Sequence, residues 1–232
     1  MTKKKLKILY EDKYLIVIDK PSGLLTVSTE KEKERTLYHY VFEYLKQKNK
    51  NNKVFIVHRL DFDTSGLIIF AKDTKTKLLL QDKWNKVIRR YMAIVNNKLP
   101  KEEDTLKNYL KETKTNLVYV TNDSKNGNLA ITSYKKVLEF DKYNLIEIEI
   151  KTGRKNQIRV QLSNIGNSIL GDKKYGPKTH EQRMYLHAYY LKFNHPITNQ
   201  ALEFEEDIPT AFLNIINKMS NWYNYLELII AL

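Results

Sequence analysis

One stretch of this sequence reads His58-Arg59-Leu60-Asp61-Phe62-Asp63-Thr64-Ser65-Gly66 and continues as Leu67-Ile68-Ile69-Phe70-Ala71. The second part is an uninterrupted apolar run after a Thr-Ser-Gly turn signal, which predicts a buried β-strand. The first part places a histidine, an arginine and two carboxylates in the polar connection that enters this strand. Polar loops held by a rigid strand often carry catalytic side chains, so this loop is a candidate active site. The alternative is a solvated loop with turn hydrogen bonds between Asp63 and Ser65.

A second candidate segment follows a predicted strand in which Ile146, Ile148 and Ile150 alternate with glutamates. It reads Lys151-Thr152-Gly153-Arg154-Lys155-Asn156-Gln157-Ile158-Arg159. Cations around a glycine at a strand end suit a phosphate-binding loop, and an arginine here is equally suited to pairing with a buried carboxylate. A basic surface loop is the alternative.

Further elements follow from hydrophobic periodicity and from capping residues. Strands are predicted at residues 15–18, 67–71, 91–95, 146–150 and 186–193, and helices at 36–48, after Asp73, at 157–165 and from Pro209 onward. Thr36 and Asp73 are the predicted N-caps. Residues 98–128 are polar and yield only a possible strand at 116–121 and a turn at 126–128. Many strands with scattered helices, and no regular alternation of the two, indicate an α+β fold.

The composition excludes several classes of protein and of site. The 232 residues are 42% hydrophobic and 11% aromatic, which excludes low-complexity disorder and suits one large domain or two small ones. The chain has no cysteine, so disulfide scaffolds, iron–sulfur sites, cysteine-ligated zinc and cysteine nucleophiles are excluded. No P-loop, dinucleotide-binding glycine motif or HExxH sequence occurs, and the five histidines are scattered, so we expect no metal site.

The net charge of +13 indicates either a polyanionic partner or a general lysine bias in the source organism. Sixteen tyrosines are available to stack on bases or to fill the core. The basic residues at the N-terminus are not followed by an apolar segment, so neither an export signal nor a membrane span is predicted, and we expect a cytoplasmic protein.

The residues from His58 to Lys72 resemble the signature of the RluA-type pseudouridine synthases. Three further segments match motifs of this family and occur in its order: Asp12 to Gly23, then Thr152 to Val160 continuing through Gly166, Ile169 to Asp172, Tyr175 and Gly176, and finally Leu186 to Ala188 with Phe193, His195 and Pro196. The match spans roughly residues 8 to 215, and four ordered motifs are far more specific than one.

The resemblance implies the pseudouridine synthase fold, an α+β fold with a mixed, mainly antiparallel sheet, flanking helices and a central RNA-binding cleft. It implies a basic tail at residues 1–7 followed by a single catalytic domain at residues 8–232. About ten residues precede the first matching motif, so we expect no N-terminal S4 RNA-binding domain, which many relatives have. We expect a monomer with RNA as its partner.

Members of the family convert uridine in RNA to pseudouridine. The C1′–N1 bond breaks, the base turns and a C1′–C5 bond forms, so the enzyme is an isomerase, an intramolecular transferase, and requires no cofactor or metal. By position, Asp61 is the implied catalytic carboxylate, acting either on C1′ or on a C2′ proton. Arg159 is the implied cationic partner of Asp61. Tyr91 is the implied tyrosine that stacks on the base and assists proton removal at C5.

Four further residues are implied to contact the RNA. Arg59 resembles the arginine that fills the space left by the flipped uridine, and Leu186 is expected to pack against the base. Lys20 and Arg154 are expected to contact RNA phosphates or to be structural. The family usually has histidine where this chain has Asn156, and often where it has Gln161, so we expect altered contacts there without loss of activity.

The expected substrate is ribosomal RNA, transfer RNA or both, and the expected processes are the modification and processing of these RNAs. Two alternatives remain open on the sequence alone. One is an RNA-binding protein of the same fold without catalysis. The other is a glycoside hydrolase that uses Asp61 and a second carboxylate. The joint presence of Asp61, Tyr91 and Arg159 argues against both.

Overall fold

A computed structural model describes residues 6–219. The strands are β1 Lys7–Glu11, β2 Leu15–Lys20, β3 Phe55–Ile56, β4 Ser65–Ala71, β5 Ile88–Asn96, β6 Glu103–Glu112, β7 Val118–Thr121, β8 Asn128–Phe140, β9 Tyr143–Ile150, β10 Leu186–Asn194 and β11 Ala201–Glu205. The helices are α1 Leu37–Lys48, α2 Thr74–Asp82, α3 Gln157–Asn164 and α4 Thr210–Met219. The α+β class with mainly antiparallel strands and flanking helices is confirmed.

The chain folds into two compact units, each with its own strands. The first comprises residues 6–87 and 188–206, and its strands follow the order β1-β2-β4-β10, with β3 on β4 and β11 on β10. The second comprises residues 88–187 and 207–219, with the order β5-β9-β8-β6-β7. The prediction of one catalytic domain at residues 8–232 stays a prediction, and residues 1–5 of the predicted tail lie outside the described residues.

The strand β4 forms the centre of the first unit because every one of its residues is buried. It pairs with β2 in antiparallel register, with Ile18 opposite Ile68 and Lys20 opposite Gly66. A strand buried on both faces is nearly continuously apolar, which explains why residues 67–71 carry no alternation. The polar loop at residues 58–64 therefore leads directly into the most completely buried strand of this unit.

Gly66 is the glycine that the packing of β4 requires. Its φ is +112°, a left-handed conformation that side chains with a Cβ rarely adopt, and a Cβ at this position would lie 2.2 Å from the carbonyl oxygen of Ala188. The segment of residues 58–66 thus ends on a glycine because the backbone of β10 lies directly against it.

The predicted caps and helices are confirmed, whereas two long strands were not predicted. Thr36 accepts a hydrogen bond from the backbone N–H of His39, and Asp73 does the same for Thr76. Within residues 98–128 the strand predicted at 116–121 is present as β7, whereas β6 was not predicted, because only Leu106 and Leu110 are buried along its ten residues. The strand β8 was missed for a similar reason, since many of its residues are polar.

No helix within residues 6–219 is both long enough and apolar enough to cross a membrane.

The carboxylate of Glu11 links β1 to the elements around it. It accepts hydrogen bonds from Lys48 Nζ at 2.8 Å, Tyr44 Oη at 2.8 Å and Lys72 Nζ at 2.7 Å. Burial alone would raise the pKa of Glu11, but hydrogen bonds from Lys48, Lys72 and Tyr44 outweigh burial and lower the pKa to about 2. Ionised Glu11 therefore stabilises the folded state above the pKa that it has in the unfolded chain.

Glu11→Gln keeps the shape of the side chain and removes its charge. We expect a loss of about 1–3 kcal/mol in the free energy of unfolding at pH 7, measured by urea denaturation. Because the folded pKa is depressed, the difference from wild type should shrink as the pH falls from about 5 to 2. Glu43→Gln, at an exposed position on α1, is the control and should change little. Equal stability of Glu11→Gln and wild type at pH 7 would contradict this account.

Candidate active site

The loop of residues 58–64 connects β3 to β4 in the first unit. Asp61 is half-buried, Arg59 is exposed, and Leu60 and Thr64 are buried. The buried residues anchor the loop, while Asp61 and Arg59 remain accessible to a ligand. These two predicted site residues therefore share one loop whose anchors lie in the core.

Lys20 holds this loop from within the protein. Its side chain is fully buried, and its ammonium donates hydrogen bonds to the carbonyl oxygens of Pro21 at 3.0 Å, Leu24 at 2.7 Å and Phe62 at 3.1 Å. The carbonyl of Phe62 also accepts the backbone N–H of Gly23 at 3.0 Å. Of the two roles expected for Lys20, a phosphate contact or a structural contact, complete burial favours the structural one.

Two hydroxyl groups add further hydrogen bonds to the same loop. Thr26 Oγ1 donates to the carbonyl of Leu60 at 2.7 Å and accepts the N–H of Leu60 at 3.2 Å. Ser22 Oγ donates to the carbonyl of Asp63 at 2.6 Å. The backbone on both sides of Asp61 is therefore fixed by the segment of residues 20–26. We call this set of hydrogen bonds the loop clamp.

His58 attaches the beginning of the loop to β4. Its Nε2 accepts the backbone N–H of Ile69 at 3.1 Å, and its ring lies 4.5 Å from that of Trp84, measured between centroids. The acceptor role requires Nε2 to be unprotonated. The side chain of His58 thus binds a backbone N–H of β4 next to the residues of β4 that pair with the short strand β3.

Tyr91 and Leu186 belong to the second unit. Tyr91 is 8% exposed and lies in β5 opposite Ile148 of β9, and Leu186 is 3% exposed at the beginning of β10. Arg89, two residues before Tyr91, is also buried. Burial lowers the pKa of its guanidinium, and the nearby Tyr91 offsets only part of this shift. Arg89 Nη1 would lie 3.2 Å from a Cβ at position 153, so this guanidinium packs against Gly153.

Arg159 lies on α3 and is paired with a residue for which the sequence suggested no role. Its Nε and Nη2 donate to the two carboxylate oxygens of Asp172 at 2.7 and 2.8 Å, a bidentate pair in which the Asp172 side chain is fully buried. The guanidinium also lies 5.2 Å from the centre of the Tyr175 ring. The predicted partner Asp61 belongs to the other unit, and that pairing stays a prediction.

Asp172 is held in its ionised form. Burial alone would raise its pKa, but the hydrogen bonds and charge of Arg159, together with the N–H groups of Lys174 and Tyr175, outweigh burial and lower the pKa. The guanidinium of Arg159 therefore has a fixed plane, set by a buried anion.

Gln157 shapes the loop that carries Arg154. Its Oε1 accepts the hydroxyl of Thr152 at 2.7 Å and the N–H of Arg154 at 3.0 Å, and its Nε2 donates to Thr132 Oγ1 at 2.8 Å. Arg154 itself is exposed, and its Nε donates to the carbonyl of Leu129 at 3.0 Å. Arg154 is thus a surface cation on a loop whose backbone is fixed by the buried side chain of Gln157.

The two departures from the family pattern have different surroundings. Gln161 is fully buried and hydrogen-bonds Thr132, Asn108 and the carbonyls of Leu106 and Ala130. Asn156 has a left-handed backbone with φ of 52° at the start of α3. The side-chain changes are thus accommodated inside the second unit.

Asn156 Oδ1 accepts the hydroxyl of Tyr175 at 3.2 Å. It therefore connects the beginning of α3 to the same tyrosine that faces Arg159.

The structure thus divides the predicted site residues between the two units. Lys20, Arg59 and Asp61 lie in the first unit, and Tyr91, Arg154, Arg159 and Leu186 lie in the second. Sequence reasoning missed the roles of Thr26 and Asp172, although both lie in or beside matching motifs. Within residues 6–219, no group of three or more histidines and carboxylates is placed to hold a metal.

Comparison with known families and proteins agrees with these motifs. Residues 14–164 match the family model of RNA pseudouridylate synthase. The chain is 36% identical over 215 residues to an RNA pseudouridine synthase of Mycoplasma genitalium, covering 90% of this chain and 68% of the relative. It is 34% identical over 230 residues to the ribosomal large subunit pseudouridine synthase D of Nitrosomonas europaea, covering 93% of this chain and 66% of the relative.

Solved structures show the same fold at lower identity. Human RNA pseudouridylate synthase domain containing 4 matches with a TM-score of 0.77 at 23% identity, over 93% of this chain and 95% of that one. Human RNA pseudouridylate synthase domain containing 1 matches with a TM-score of 0.71 at 18% identity, over 95% of this chain and 98% of that one. The pseudouridine synthase fold is therefore confirmed. The chain belongs to the RluA-type family of RNA pseudouridine synthases, isomerases that convert uridine in RNA to pseudouridine.

Proposed function

We propose that this chain modifies uridine in ribosomal RNA and that Asp61 is its catalytic carboxylate. The observation that carries the assignment of Asp61 is the loop clamp, which fixes the backbone around Asp61 while its side chain stays half-exposed. Ribosomal RNA is favoured because relatives of this chain include large-subunit enzymes from Nitrosomonas europaea and Rickettsia typhi.

A carboxylate suits the first step of the isomerisation. Breaking the C1′–N1 bond develops positive charge at C1′, and an ionised carboxylate traps or stabilises that charge. After the base has turned, the new C1′–C5 bond forms and C5 must lose its proton. Tyr91 is proposed to assist the removal of this proton. A fixed backbone favours such chemistry, since catalytic groups must be held close to their productive geometry.

The other site residues are proposed to handle the RNA and the charge of the site. Arg59, which is exposed beside Asp61, fills the space left by the flipped uridine, and Leu186 packs against the base. Arg159 is proposed as the partner of Asp61. Its pairing with Asp172 supports this, because an arginine whose plane is already fixed loses little entropy when it receives a second anion.

Family membership decides against a glycoside hydrolase and against a binding protein without catalysis. Mapping pseudouridines in total RNA from cells with and without the gene tests the choice of RNA. A modified site lost from ribosomal RNA supports the proposal, whereas a loss confined to transfer RNA overturns it.

Asp61→Asn keeps the shape of the side chain but removes the negative charge needed at C1′. We expect no detectable pseudouridine, with RNA binding retained, in a tritium-release assay on ribosomal RNA that contains 5-³H-uridine. Asp63→Asn, a change in the same loop, is the control and should retain turnover. Measurable turnover by purified Asp61→Asn would remove Asp61 from the catalytic role.

Arg159→Met leaves the carboxylate of Asp172 buried without its cation. Removing one partner of a buried ion pair typically costs about 3–5 kcal/mol, so we expect a loss of this size in the free energy of unfolding at pH 7, together with a loss of activity. Because the folded pKa of Asp172 is lowered, the pair stabilises the protein above the unfolded pKa, and the difference should diminish in acid.

Arg159→Lys serves as the comparison because it keeps the charge and loses the bidentate geometry. Its free energy of unfolding should lie between those of the wild type and of Arg159→Met. A melting temperature and activity that are unchanged in Arg159→Met would refute both the stabilising pair and the proposed role in the site.

The exposed cations Arg154 and Lys173 are proposed to contact RNA phosphates. Their joint reversal to glutamate should weaken binding and flatten the dependence of log K on log salt by up to about 1.4, because each phosphate contact in a single strand contributes about 0.7. Fluorescence anisotropy of labelled ribosomal RNA fragments across a salt series measures this slope.

The matched control reverses Lys50 and Lys53, two exposed lysines after α1. It makes the same change in net charge, so a general loss of positive charge would affect both variants alike. Equal losses in both variants would mean that the charge acts diffusely, and the localised phosphate contact would have to be abandoned.

A further inference from the structure

Phe62 is an exposed aromatic residue directly after the proposed catalytic carboxylate. Its residue exposure is 48%, and only four other large hydrophobic residues within residues 6–219 are comparably exposed: Leu78, Leu117, Tyr119 and Ile197. Among the described residues its ring takes part in no aromatic pair and no cation–π contact. The core therefore does not explain why a phenylalanine occupies this position.

The backbone of Phe62, in contrast, is held firmly. Its carbonyl oxygen accepts hydrogen bonds from Lys20 Nζ at 3.1 Å and from the N–H of Gly23 at 3.0 Å, and its neighbour Asp63 is bound through its carbonyl by Ser22. Lys20 is fully buried, so these bonds fix the inner side of the loop. An aromatic ring on a fixed backbone, with a side chain of only two rotatable bonds, loses little entropy when it contacts a partner.

The chemistry of the partner follows from the ring and from its position. An apolar ring lacks donors and acceptors, so it recognises a flat face and not a pattern of hydrogen bonds. In RNA, that face is an unstacked base, and aromatic side chains commonly receive such bases in single-stranded or opened regions. A uridine that leaves its stack to be modified leaves neighbouring bases without one stacking partner.

We infer that Phe62 is a stacking site for an unpaired RNA base next to the uridine that is modified. This inference rests on the proposed function in placing the target uridine at Asp61. The stacking site contributes to affinity and to the choice of substrate, while the isomerisation itself is carried by other residues. Stacking tolerates every base, so the site selects for an opened RNA structure more than for a sequence.

The test compares Phe62→Ala with Phe62→Tyr and with Leu78→Ala, a control at a residue of α2 that is 58% exposed in the same unit. Phe62→Ala should weaken the binding of a labelled oligoadenylate about 5- to 150-fold, the range expected for losing one base–aromatic stack. Phe62→Tyr should retain affinity and Leu78→Ala should leave it unchanged. The salt dependence should keep its slope in Phe62→Ala, because stacking neutralises no phosphate.

A second measurement uses ribosomal RNA fragments in which the nucleotides flanking the modified uridine are made abasic one at a time. At one flanking position, removing the base should weaken RNA binding by the wild-type protein and leave RNA binding by Phe62→Ala unchanged. This result is the signature of a direct contact in a double-mutant cycle. In tritium-release kinetics, Phe62→Ala should raise KM with little change in kcat.

The outcomes separate this inference from the proposed function. Unchanged oligoadenylate affinity in Phe62→Ala, or equal losses in Phe62→Ala and Leu78→Ala, would overturn the stacking site. A fall in kcat with unchanged KM would overturn it as well, because it would assign Phe62 to the geometry of the loop. Activity retained in Asp61→Asn would overturn the proposed catalytic role, whereas oligoadenylate binding still reports on Phe62 because it requires no catalysis.

Discussion

Burying an ammonium group is costly unless its donors are satisfied, and in this protein Lys20 uses that requirement to organise a loop. Its three hydrogen bonds join the turn after β2 to the backbone of Phe62, one residue beyond Asp61. The hydroxyl groups of Ser22 and Thr26 complete the connection. The position of the proposed catalytic carboxylate therefore depends on a cation that never meets solvent. Replacing this lysine would remove the ammonium donor from the buried carbonyl oxygen of Leu24.

A similar arrangement with opposite charges occurs in the second unit. There the buried anion is Asp172, and the group it positions is the guanidinium of Arg159. Each unit thus contains a buried charge whose partners are elements of the proposed site. Such groups add little net stability compared with apolar residues, but they specify one geometry, which is the property that a site for C–N bond cleavage requires.

The sequence was sufficient to predict most elements, and the reasons for the failures are physical. The strands β2, β4 and β5 are apolar runs, and α1 and α2 carry N-cap residues, so local patterns identify them. The strand β6 has a largely polar composition and β8 mixes polar and apolar residues, so neither is an apolar run, and pairing with neighbouring strands determines their structure. Asp61, Tyr91 and Arg159 were identified by resemblance. The roles of Thr26 and Asp172 were not, and a structural role was only one of two expected for Lys20, because burial and hydrogen-bond partners are properties of the folded chain and leave no periodic signal.

The first unit is discontinuous in sequence, and this affects how the protein is made. Its strand β4 pairs with β10, yet the two are separated by the entire segment of residues 88–187, which belongs to the second unit. During synthesis at about 5–20 residues per second, that segment takes on the order of 5–20 s to emerge. For this interval, the part of β4 around Gly66, which β3 does not cover, lacks the strand whose backbone lies against it. An unpaired strand edge is prone to pair with other chains, so this part of β4 is exposed to such pairing until β10 has left the ribosome.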